Sequence, residues 1–188
     1  KRPVESFEQF VMRAIRKDLW KQTRDFSYYD LTLSGAKQLN KRTATQPDVY
    51  YFSWATSRTQ PKEDTGRHVP MRGMSLLLRP TARYMGSLPQ LPGGIDGDPE
   101  VWWENDGMVN TCSMDGPSLG RSEEIQLFSE NMRARPGRWY FMGTLKPLDH
   151  FQVNLVLPIS GDVPPGYESL SDFYERWCAF LVTLPEEK

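Results

Sequence analysis

A chain of 188 residues, 38% hydrophobic and 12% aromatic, has enough apolar material for one domain with its own core. Its 23 Lys+Arg balance 24 Asp+Glu for a formal net charge of -1, which argues against nucleic acid or an anionic membrane surface as partner. No run approaches the ~18 apolar residues of a spanning helix, so a soluble chain without a transmembrane segment is expected. The chain starts Lys1-Arg2-Pro3 without an initiator Met or an apolar signal core, which reads as the interior of a longer polypeptide.

In chain order, "SFEQFVMRAIRK" places Ser6 and Gln9 at capping-box spacing. Phe7, Phe10, Val11, Ala14 and Ile15 then fall on one helical face. A short helix is expected from about Ser34 ("SGAKQLNK"). "DVYYFSWAT" (48–56) has the β-branched and aromatic composition of a buried strand. Most of the fifteen prolines and fourteen glycines are read into the stretch 61–120, which predicts loops there, with one helix within 71–86. "WWENDGMVNT" (102–111) sets an Asn-Asp-Gly turn signal behind two tryptophans, expected to pack beneath it. "GRWYFMGTL" (137–145) reads as a second strand, "HFQVNLVLP" (150–158) as helix or strand, and "ISGDVPPGYES" as a loop. Behind Ser169, the residues Leu170, Phe173, Tyr174, Trp177, Cys178, Leu181 and Leu184 form a helical stripe. Interleaved helices and strands predict an α/β layered fold. Two convincing strands do not make a whole sheet, and the two strong helices need a larger partner than this chain supplies.

Side chains that carry chemistry are few. The two histidines are His68, among loop residues, and His150, just past a strand end, where α/β proteins gather catalytic groups. Pattern alone leaves both open to an ordinary structural role. An acid in a post-strand turn, Asp106, followed by His150 matches the order of the last two members of a Ser, Asp, His series. The nucleophile is missing: Gly73-Met74-Ser75-Leu76-Leu77 lacks the second glycine of a G-x-S-x-G elbow. Cys112 has no adjacent base to activate it. Cys112 and Cys178 permit one bridge, and two small buried thiols are the expected state. Asp96, Asp98, Glu100, Glu104 and Asp106 fail the calcium-loop pattern, and no Cys/His cluster offers a zinc site. Gly93-Gly94 lacks the strand-to-helix setting of a phosphate loop.

The blocks "ESFEQF", "YDLTLSGAKQLN", "VYYFSWATSRT", "WENDGMVNTCSMDGP" and "LDHFQV" resemble, in order, the large bacterial triacylglycerol lipases of the staphylococcal and thermophilic bacillus type, which have plant and fungal relatives. The likeness runs from about Glu5 to the last helix and is poor over 112–145 and 158–168. It implies the C-terminal part of a single α/β-hydrolase domain spanning 1–188, an incomplete sheet flanked by helices. It implies that Asp106 is the acid and His150 the base of a Ser-His-Asp triad, with Gly107 backbone and Asn105 supplying donors to the acid. The serine, the oxyanion loop and a zinc-binding subdomain would precede Lys1, so the chain alone is expected to be inactive. Its substrate would be an acylglycerol or similar ester, its missing partner the N-terminal half or a companion chain, and its site of action outside the cell. A calcium ion bound in the family through two carbonyls and two acids is expected to be lost. Gly73 and Pro158 match the carbonyl positions, whereas Gln152 and Leu157 stand where the acids belong. The inserted "SGDVPPGYES" loop would brace the histidine in its place. No other cofactor is expected. The rival reading is a non-catalytic interaction module that kept the lipase scaffold.

Overall fold

A computed structural model describes residues 27–30, 32–91, 97–117, 124–154 and 162–185. The helix expected from Ser6, together with Gly93-Gly94, Leu157 and Pro158, lies outside the described residues. Within them, the elements run α1 (Ser27–Asp30), α2 (Leu33–Arg42), β1 (Tyr51–Thr56), β2 (Thr59–Pro61), β3 (His68–Pro70) and α3 (Arg79–Met85). They continue through β4 (Ile125–Leu127), β5 (Trp139–Leu145), α4 (His150–Val153) and α5 (Leu170–Leu181). Short 3₁₀ turns cover Pro99–Trp102 and Thr111–Ser113.

The described sheet has the order β1-β5-β4, with both pairings parallel. Tyr51 pairs with Trp139 and Thr56 with Leu145, across a register shift between Ser53 and Ala55. This arrangement, a small parallel sheet with helices beside it, is an α/β fold; of the strands expected over 48–56 and 137–145, the second is its central strand and the first pairs beside it. β4 and the antiparallel ribbon β2-β3 were not expected. Each is three residues long, too short for a period of two to register, and is held by its partner strand rather than by local propensity.

The helix expected within 71–86 occupies only Arg79–Met85. Pro80 sits in its first turn, where a missing N–H costs nothing. The residues before it are held by long-range contacts instead. The Ser75 N–H donates to the Asp149 carboxylate, and the Arg72 carbonyl accepts from Arg58. Leu76 and Leu77, expected inside a helix, are 75% and 74% exposed. α2 begins where expected because Thr32 Oγ1 accepts from Gly35 N–H at 3.1 Å.

α5 covers one face of β1. Its Phe173, Trp177 and Phe180, at i, i+4 and i+7, meet Trp54 and Phe52 edge-on, with centroids 5.2 to 5.9 Å apart. Phe180 takes the place expected for Cys178 and Leu181, both of which are exposed. Both thiols are free, Cys112 half-buried and Cys178 exposed, so the expectation of two buried cysteines is not met. A core of Leu145, Leu148 and Phe173 lies at the C-terminal end of the sheet. A second, of Met74, Leu78 and Ala82, packs against Phe151. Between these two cores stands the turn that carries His150.

Candidate active site

Asp106 and His150, 44 residues apart, come together beyond the C-terminal ends of β1 and β5. Asp106 lies in the tight loop closed by the Asn105–Asn110 bridge. Gly107 makes that loop by taking φ +96°, and a Cβ there would lie 2.6 Å from Leu78 Cβ. Asn105 Oδ1 accepts from Gly107 N–H at 2.9 Å and so shapes the turn. Trp103 is buried beneath it and anchored by Nε1–H to the Leu88 carbonyl at 2.8 Å, while Trp102 is only half-buried.

The Asp106 side chain is 1% exposed, and both its oxygens are satisfied. Oδ1 accepts from Met108 N–H at 2.9 Å and Val109 N–H at 2.8 Å. Oδ2 accepts from Thr56 Oγ1–H at 2.8 Å and from His150 Nδ1–H at 2.9 Å. The donors expected from Gly107 and Asn105 are thus Met108, Val109 and Thr56, because the side chain folds back over its own turn and reaches the end of β1. A carboxylate can only accept, so the proton of the neutral imidazole sits on Nδ1 and leaves Nε2 with a lone pair. The backbone repeats the link, since His150 N–H donates to the Asp106 carbonyl at 3.1 Å.

His150 begins α4, which Asp149 caps. Asp149 is fully buried; its Oδ1 accepts from Phe151 and Gln152 N–H, each at 3.0 Å, and its Oδ2 from Ser75 N–H at 2.8 Å. Gln152 Oε1 reaches back to Asp149 N–H at 2.9 Å, completing a capping box. Asp-x-x-Gln over 149–152 carries that signature in the sequence, which makes Asp149 a further residue of the site. The hydrogen bond that His150 donates to Asp106 holds the His150 pKa above its ordinary value, partial burial works against it, and the charges of Asp106 and Asp149 add to the rise.

A cleft of about 360 Å³ opens at this pair. Trp54, Val109, Met114, Leu145 and Trp177 contribute to its mainly apolar wall, and no serine or cysteine among the described residues lines it. The other candidates lie elsewhere. His68, on β3, faces Thr59 Oγ1 at 3.1 Å, and burial lowers its pKa. Ser75 is buried. Burial, with a contribution from Asp115, pushes the Cys112 thiol up to about 12, far from the thiolate a nucleophile needs. The acidic run is dispersed: Asp98 caps the Pro99–Trp102 turn, Glu104 pairs with Lys146, and Asp106 serves His150. Among the described residues no three His, Cys, Asp or Glu side chains converge.

Beside Gly73 the described donors are one carboxylate, Asp162, already paired with Arg58, and the amide of Gln152, a poor set for a calcium ion. Gln152 Oε1 is neutral and already accepts from Asp149 N–H and from Arg58 Nη1–H at 2.7 Å. A Cβ on Gly73 would lie 2.1 Å from Arg58 Nη2, so a guanidinium cation fills the space beside it.

The family described as "Lipase-like, C-terminal domain" matches residues 1–186. The chain is 31% identical over 180 residues to a lipase of Staphylococcus hyicus, covering 92% of itself and 25% of that protein. It is 27% identical over 185 residues to Lipase 1 of Staphylococcus aureus (strain Mu50 / ATCC 700699), covering 24% of it. It therefore spans about a quarter of the length of these curated relatives. Among solved structures it is similar to EstA from Clostridium botulinum, with TM-score 0.77 and 31% identity over 96% of this chain and 40% of that one. The crystal structure of Staphylococcus hyicus lipase follows at TM-score 0.70 and 26% identity, covering 97% of this chain and 43% of that one. With this match along almost its whole length, the chain belongs to the family of lipase-like C-terminal domains.

Proposed function

We propose that this chain is the C-terminal part of a serine carboxylic-ester hydrolase and supplies its base, His150, and its acid, Asp106. The nucleophilic serine comes from a preceding part of a longer protein or from a companion chain. The observation that carries this reading is the 2.9 Å contact of His150 Nδ1 with Asp106 Oδ2 at a mainly apolar cleft. In the reaction, His150 Nε2 takes the proton of the serine hydroxyl as its oxygen attacks the ester carbonyl. Asp106 fixes the tautomer and stabilises the imidazolium. The imidazolium then gives the proton to the departing alcohol, and the neutral ring activates the water that releases the acid. The apolar wall of the cleft suits the acyl chain of an acylglycerol or similar ester.

His150→Ala or Asp106→Asn in the full-length protein is expected to abolish most turnover of a short-chain ester while the cooperative thermal transition is kept. In the serine-protease template, amide replacement of the acid costs about 10⁴ in turnover. Near-normal turnover by either variant would overturn the assignment.

A further inference from the structure

Behind the His150 turn lies a charge that the proposed reaction does not use. The Arg58 side chain is 2% exposed although it follows β1 by two residues. Its Nη1 donates to the Pro147 carbonyl at 2.7 Å and to Gln152 Oε1 at 2.7 Å, so one nitrogen grips the chain on both sides of His150. Its Nη2 donates to the Arg72 carbonyl at 2.9 Å and pairs with the Asp162 carboxylate. Four chain segments meet on one guanidinium: the end of β1, the Arg72–Gly73 loop, the His150 turn and the loop before α5. The planar fork suits this role, because its donors diverge in fixed directions that a lysine ammonium cannot reproduce. A buried cation needs a neutralising partner, and Asp162, 39% exposed, provides it from the edge of the protein. Gly73 has room only for hydrogen beside Nη2.

We propose that the Arg58 guanidinium, neutralised by Asp162, is the built-in cation that holds the His150 turn in place of a bound divalent ion. Arg58 and Asp162 are then positioning residues for the base. The inference rests on the reading of His150 as that base, and its tests separate the two. In the full-length protein, calcium added back after chelation with EGTA leaves Tm unmoved, and calorimetry with calcium chloride gives no binding heat attributable to this chain. A rise in Tm on adding calcium overturns the proposal. Asp162→Asn, at a partly exposed position, lowers kcat for a short-chain ester by up to about 100-fold, the cost of misplacing a catalytic group by 1 Å, with KM unchanged. Asp162→Glu restores part of that loss, and Arg58→Lys does not replace the fork. Unchanged kcat in both Asp162→Asn and Arg58→Lys overturns it. Amide exchange at His150 quickens in Asp162→Asn whatever the protein hydrolyses, and unaltered exchange also overturns it. Failure of the hydrolase reading instead shows as turnover retained in His150→Ala.

Discussion

Asp106 Oδ2 accepts a hydroxyl and an imidazole N–H at once, and this shapes the pH response of the site. The hydrogen bond donated to Asp106 raises the His150 pKa, yet a base must be neutral to accept a proton. kcat/KM is therefore expected to rise with pH through a midpoint above the ordinary imidazole value of about 6.5. Asp106→Asn should remove that rise, and NMR titration of the His150 ring would measure both midpoints. For stability the sign is opposite. With the folded pKa above the unfolded one, the ion pair adds stability below the unfolded value, and that increment disappears as pH rises through the folded value. Gly107→Ala should lower Tm by an amount equivalent to about 1–3 kcal/mol, because a side chain at positive φ is strained and its Cβ meets Leu78. At this scale the sequence was informative where a residue type stands alone. Two histidines and one Asn-Asp-Gly turn restrict the options severely. The donors Thr56, Met108 and Val109 were not legible, since one needs a contact 50 residues away and two need the turn's own backbone to fold over the carboxylate.

α4 is four residues long and too short to hold itself together, so its geometry is borrowed from Asp149. Asp149→Ala would leave the buried Ser75 N–H and the half-buried Phe151 N–H without their acceptor, and Gln152 N–H with only the Asp149 carbonyl at 3.1 Å. Losing an N-cap costs about 0.5–2 kcal/mol, and the Ser75 contact adds to it, so Tm should fall clearly in thermal unfolding. Turnover should fall with it, because the same residue sets where the imidazole stands. The long elements were legible from periodicity: α5 behind Ser169, β1 and β5 in their aromatic runs. Residues 71–78 were misread as helical. Leu76 and Leu77 look like a core stripe in isolation, but Asp149 and Arg58 capture the neighbouring backbone and turn both leucines outward. Phe180 rather than Cys178 faces the sheet because three aromatic rings spaced along α5 dock together on Phe52 and Trp54.

At the scale of the molecule, the described sheet has β1 at one side with only β5 beside it. The chain spans about a quarter of the length of its curated relatives, and among the described residues no serine or cysteine lines the cleft at His150 and Asp106. Residues 1–188 expressed alone are accordingly expected to show no ester hydrolysis above the rate of buffer, and mixing with the serine-bearing part should restore it. Hydrolysis by the isolated chain would refute this division of labour.

Asp106 and His150 are joined twice, once through imidazole and carboxylate and once through His150 N–H and the Asp106 carbonyl. The pair therefore has a single set of rigid-body motions. A disturbance that shifts one loop carries the other with it, so their mutual alignment is the last thing that heat or a distant substitution should loosen. What such a disturbance changes first is the distance of the joined pair from the incoming hydroxyl.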